Sequence, residues 1–153
     1  MHQKIDPIEV VKEARRWVGT PWRHEGRTIR KGVDCAGLII CTAANLDLVH
    51  VTITGYSLYP DGHTMEDYCR AHLIHVPLLT EMQYGDVVIL GDLQWPHHLA
   101  IIGDKGYPFS IIHAHNNPTA KKNKKKVVEH RLDSKWMSKV KSCYRYPGVE
   151  CVS

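Results

Sequence analysis

Residues 34–46 read DCAGLIICTAANL, apolar on nearly every side, and this stretch decides the fold. A helix that is hydrophobic all round is a buried helix. Asp34 is suited to cap its start, which places Cys35 in the first turn. Upstream, Asp6, Pro7 and Glu9 form a helix start, and Ile8, Val11, Ala14 and Val18 follow at helical spacing. Gly19 and Pro21 stop that helix, so it is predicted over 7–18. Between the two helices lies GTPWRHEGRTIRKGV (19–33), a basic loop carrying Arg23, His24, Arg27, Arg30 and Lys31. Loops of this length inside a compact domain are usually functional. A third helix is expected over 65–75, capped by Thr64. From Gly85 the pattern changes to short β-rich runs: DVVIL (86–90), HLAII (98–102), SIIHAH (110–115), KVVEHRL (126–132) and CYRY (143–146). Helices first and strands later predict an α+β fold, with N-terminal helices packed on an antiparallel β-sheet of about five strands.

The whole chain, 1–153, reads as one domain, with no internal repeat and no linker. A hydrophobic fraction of 43% and a charged fraction of 24% exclude a disordered or fibrous chain. No stretch approaches the roughly 18 apolar residues of a membrane span, so no membrane insertion is expected. The opening MHQKIDPIEV has no apolar leader, which predicts synthesis in the cytoplasm and any exit by another route. The formal charge of +4 is concentrated in AKKNKKK (120–126). That run reads first as a solvated loop and second as a patch for phosphate or wall polymer. Without interleaved aromatics it offers no stacking platform, so nucleic acid is not an expected partner. Five cysteines, an odd count without a CxxC pair, argue against a disulfide framework and leave a thiol to explain.

That thiol is Cys35. Amide groups and the macrodipole at a helix start stabilise a negative charge. With a nearby imidazolium they can lower a thiol pKa from about 8.5 to roughly 3.5–7.5. Cys41, Cys69 and Cys143 read as small buried residues. A nucleophile needs a base. His97 and His98 open one predicted strand, and His113 and His115 lie on the next, sharing a face by the two-residue period of a strand. Periodicity does not choose between His113 and His115 as the partner of His98. Zinc ligation by these histidines and Cys35 lacks HExxH or CxxC spacing, so neither a metal nor another cofactor is expected.

VDCAGL (33–38), HLAIIG (98–103) and IHA (112–114), with GTPW (19–22) and YGDVVIL (84–90), resemble the NlpC family of cell-wall cysteine peptidases. The likeness runs from about residue 8 to 148. It implies a papain-like α+β fold and hydrolysis of peptidoglycan stem peptides next to D-glutamate, commonly at γ-D-glutamyl–diaminopimelate, through a Cys35 thioester. It also implies that Cys35 is the nucleophile, His98 the base and His113 the orienting residue. By the same analogy Asp34 binds the free amine of the substrate. Trp22 lines the site where the family usually has tyrosine, and Ala36 stands where it commonly has serine. Arg23 and Arg27 are expected, on charge alone, to meet stem-peptide carboxylates, and His115 completes the expected substrate-binding set. The run VVEHRLDSKW (127–136) and the later YRYPG (144–148) resemble the branch found with phage tails and gene-transfer agents, which implies phage-tail proteins as partners. Two other outcomes use the same fold: an acyltransferase or deamidase acting on another acyl group, and a wall-binding module without activity.

Overall fold

The Asp6 carboxylate accepts the Ile8 N–H at 3.0 Å and starts α1 (Pro7–Arg15). The computed structural model describes residues 4–58, 61, 63–91, 98–116, 121 and 124–150. His97, Cys151 and residues 120, 122 and 123 of the lysine-rich run lie outside the described residues. Helix α1 ends three residues before the predicted 18. The chain turns through Gly19, at φ +94°, whose N–H is held by the Val127 carbonyl at 2.9 Å. The basic loop folds into a small hairpin, β1 (Arg27–Thr28) and β2 (Gly32–Val33), that leads into α2 (Cys35–Asn45).

The third helix, α3 (Thr64–His72), is shorter than predicted. Its first N–H groups are capped by Asp61, which accepts from His63 at 2.9 Å and Thr64 at 2.8 Å. Leu73 leaves the helical conformation and the chain continues as β3 (Ile74–Val76). The remaining elements are β4 (Val87–Leu90), β5 (His98–Gly103), β6 (Ser110–Ala114), β7 (Val127–Arg131), α4 (Ser134–Met137) and β8 (Val140–Arg145). Six strands form one antiparallel sheet in the order β3-β8-β4-β5-β6-β7. The sixth strand is β3, where the sequence predicted helix. Three residues are too few to show an alternation, and pairing with β8 defines the strand.

Both faces of the sheet are covered, which is why its central strands read as nearly unbroken apolar runs. Val87, Ile89, Leu99, Ile101, Ile112 and Ala114 pack under α1 and α2, against Val10, Ala14, Leu38 and Ile39. Val88, Leu90, Ala100, Ile102 and Ile111 face the other way, beneath Phe109, Trp136 and Met137. Strand alternation places His98 with Ala100, His113 with Ile111, and His130 with Leu132, all on this second face. Tyr146, fully buried, donates to the Ile39 carbonyl at 2.7 Å and ties the chain after β8 to the middle of α2.

Gly37 sits where the basic loop crosses the start of α2. A Cβ there would lie 2.5 Å from the Gly26 carbonyl oxygen and 2.8 Å from an Arg27 guanidinium nitrogen. Gly37→Ala is therefore expected to destabilise the fold by about 1–3 kcal/mol, the range for overpacking. Urea unfolding measures it, and an unchanged midpoint would show that the loop moves aside freely.

Candidate active site

Asp34 builds the start of α2. Its Oδ1 accepts the Gly37 N–H at 2.8 Å, the cap predicted from sequence. Its other contacts were not legible locally: Arg27 donates to Oδ1 at 3.1 Å, the Glu25 N–H donates to Oδ2 at 2.7 Å, and the Tyr56 hydroxyl donates to Oδ2. Two carboxylate oxygens offer about four lone-pair sites, and four donors fill them. The side chain is only 5% exposed. A substrate amine reaches Asp34 only by displacing one of these donors.

Arg27 is turned inward as well. Besides Asp34, its guanidinium holds the Gly26 carbonyl at 2.9 Å, the Ile53 carbonyl at 3.1 Å and the Tyr56 hydroxyl at 2.9 Å. It clamps the loop around 53–56 to the helix start, and substrate carboxylates compete with that role. Burial, with the hydrogen bond to Asp34, pushes the Tyr56 phenol well above its ordinary range, so it remains a donor. Arg23 lies beside this clamp, with its N–H on the Val33 carbonyl and its side-chain carbons against Gly32. Trp22 is fixed through its backbone to Lys125 and Val33, and its side chain packs on the helix-side core.

Cys35 follows Asp34 in the first turn of α2 and keeps part of its surface exposed. The sulfur itself is closely surrounded. Burial and the Asp34 carboxylate push its thiol up to about 11, while the N–H groups of Leu99, Ala36 and Cys35 itself pull the other way. The helix-start amides thus act in the direction expected from sequence but are outweighed, and the resting group is a thiol. Alkylation by iodoacetamide is expected to be slow at pH 7 and to quicken as pH rises towards the thiol's pKa. A rate already at its plateau at pH 7 would instead show a resting thiolate. Among the described residues Cys41, Cys69 and Cys143 are free thiols too. Burial pushes Cys69 up to about 12, and Cys143 donates to the Asp86 carboxylate at 3.5 Å.

The Leu99 amide that faces Cys35 belongs to the residue after His98, so α2 and the start of β5 bring these two groups into one region. His98 Nε2 lies 2.8 Å from His113 Nδ1. Continued from Ile101 opposite Ile112, the β5–β6 register would set His98 opposite His115 and His113 one diagonal step away, yet the hydrogen bond is made to His113. His115 stays close, its ring 5.7 Å from that of His113. His113 is fully buried. Burial and the neighbouring His98 and His130 hold its pKa well below the ordinary value, so it is neutral. A third ring, His130 on β7, continues the line, and Trp136 packs across both, 5.0 Å from His113 and 4.7 Å from His130. Sequence reading missed His130, Trp136 and Tyr56. The one local signal was a histidine at the fourth residue of β7, in the strand already predicted there. The ring nitrogens of the line point at one another rather than at a common centre. Among the described residues no group of three His, Cys, Asp or Glu is placed to hold a metal ion.

Neither protein-family models nor curated proteins match the chain. Solved structures do match it in fold. The NlpC/p60 domain of the peptidoglycan hydrolase SagA superposes with a TM-score of 0.59 at 19% identity, over 92% of this chain and 98% of that one. A protein similar to lipoproteins, of the NLP/P60 family from Staphylococcus aureus, gives 0.59 at 20% identity, over 94% of this chain and 43% of its own length. NlpC1 of Trichomonas vaginalis gives 0.64 at 16%, over 95% of this chain and 47% of its own. The chain therefore spans less than half the length of the last two. At these identities the likeness is one of fold: α+β, of the papain-like NlpC/p60 kind, with six strands in the sheet.

Proposed function

We propose that this chain is a cysteine peptidase, a single catalytic domain that hydrolyses peptidoglycan stem peptides at a D-glutamyl amide bond, the γ-D-glutamyl–diaminopimelate bond first among them. The observation that carries the reading is the placement of a cysteine at a helix start against the amide of Leu99, the residue that follows His98, whose Nε2 is held by a buried neutral histidine. The fold shared with NlpC/p60 domains supports it.

In this mechanism His98 takes the proton of Cys35 as the sulfur attacks the carbonyl carbon, which suits a thiol that starts protonated. Backbone amides at the start of α2 receive the oxyanion. The C–N bond breaks, and His98 gives the proton to the leaving amine. Water then attacks the thioester carbon and yields its proton to His98. The S–C bond breaks, a carboxylate is released, and the proton returns to Cys35. His113 orients His98 through its Nε2. Arg23, Trp22 and His115 line the approach, while Arg27 and Asp34 shape the loop that borders it. Phage-tail proteins are the partners that the C-terminal resemblance favours.

Purified cell-wall sacculi test the proposal. Wild-type protein is expected to release soluble peptide fragments with a new amino terminus on the diamino acid. Binding to sacculi without any release would make the chain a wall-binding module instead.

A further inference from the structure

The line of imidazoles that begins at His98 ends on a carbonyl oxygen. His130 Nδ1 lies 2.9 Å from the Arg131 carbonyl, His130 Nε2 lies 2.9 Å from His113 Nε2, and His113 Nδ1 lies 2.8 Å from His98 Nε2. A carbonyl oxygen only accepts, so the His130 proton must sit on Nδ1. Neutral His130 then offers a lone pair at Nε2, which requires the proton of neutral His113 on its own Nε2. His113 Nδ1 is left as an acceptor, which requires a proton on His98 Nε2. The ring nitrogen of His98 that remains, Nδ1, then carries no proton in the neutral base. Each link allows one arrangement once the first is fixed.

We propose that His130 is a positioning residue that sets the tautomer of His98, acting through His113 and anchored on the Arg131 carbonyl. The role rests on the reading of His98 as the base. Sheet geometry holds the line in place. β6 and β7 pair with His113 opposite Val128, so His130 stands one diagonal step along on the same face. The His113 ring crosses those of His98 and His130 at 84°, with centroids 4.9 Å and 5.0 Å away. Trp136 lies against His113 and His130 and is itself covered by the Lys139 ammonium, 4.7 Å from its ring. Three histidines in line would otherwise admit two opposite directions of donation. The carbonyl selects the direction that leaves a base at the far end.

Two variants separate this role from simple packing. His130→Leu keeps bulk on β7 but offers His113 no acceptor, whereas His130→Gln restores an acceptor oxygen. In the full chain labelled with nitrogen-15 at histidine, long-range proton–nitrogen NMR reports which ring nitrogens carry protons. The expected result is a single tautomer at His98 in wild type, protonated on Nε2, and a mixture at His98 and His113 in His130→Leu. On stem peptide, His130→Leu is expected to lose about 10–100-fold in kcat with KM unchanged, the scale of losing an outer partner that orients a histidine. His130→Gln is expected to recover most of that loss. Unchanged tautomers in folded His130→Leu would overturn the role, whatever the protein cleaves. A tautomer shift in protein whose wild type cleaves no stem peptide would support the role of His130 and defeat the peptidase reading instead.

Discussion

Cys35→Ala is expected to lower the cleavage of stem peptide by about ten-thousand-fold to a millionfold, the loss seen when a covalent nucleophile is removed. The protein should still fold and still bind sacculi. His98→Ala is expected to fall into the same range, because the resting sulfur is a thiol with its pKa pushed up to about 11 and needs a base to take its proton. The two groups act as a unit, so the double variant should lose no more than the worse single variant. Product formation followed by liquid chromatography and mass spectrometry measures all three. A Cys35→Ala rate within tenfold of wild type would place the chemistry elsewhere. A fully additive double variant would show that the two residues act independently.

The largest expected effect on stability lies beneath β4, at Asp86. Its side chain is fully buried and receives a bidentate pair from Arg145, Nε to Oδ1 at 2.8 Å and a terminal nitrogen to Oδ2 at 2.9 Å. The Gln83 N–H adds a bond at 3.0 Å. Removing the cation leaves a buried carboxylate uncompensated, which costs about 3–5 kcal/mol. For a domain of this size, at about 2–4 °C per kcal/mol, Arg145→Ala should lower Tm by roughly 6–20 °C. Differential scanning calorimetry provides the check, and a fall of under 2 °C would show that solvent reaches Asp86 and screens the charge. The pair bears on function through the strand order, since β4 lies directly against β5, which begins with His98.

What the sequence made legible follows from how local each signal is. The cap at Asp34, the buried helix after it and five of the six strands rest on neighbouring residues, and the structure has them. The sixth strand, β3, carries only Ile74, His75 and Val76, and pairing with β8 makes it a strand. His113 and His115 share one period, so the choice between them needs the side-chain geometry across β5 and β6, where His98 bonds the diagonal His113, and no local pattern contains that. His130 was in view within KVVEHRL, yet its meaning depends on the same kind of geometry one strand further out. Arg27 reads from sequence as a charge in a basic loop, expected to meet substrate carboxylates. It turns inward because Asp34, Tyr56 and the Ile53 carbonyl, distant in sequence, meet it there. The thiol of Cys35 shows the same division. The helix-start amides are visible in the sequence, but burial and the Asp34 charge, which outweigh them, are properties of the packed site.

The most direct measurement is to incubate a defined stem peptide, L-alanyl-γ-D-glutamyl-diaminopimelyl-D-alanine, with the purified protein and with Cys35→Ala, and to identify the products by mass spectrometry. The expected result is L-alanyl-D-glutamate and diaminopimelyl-D-alanine from wild type alone. Cleavage that persists in Cys35→Ala, or an intact peptide after long incubation with folded wild type, would contradict the assignment of Cys35 as the nucleophile of a stem-peptide hydrolase.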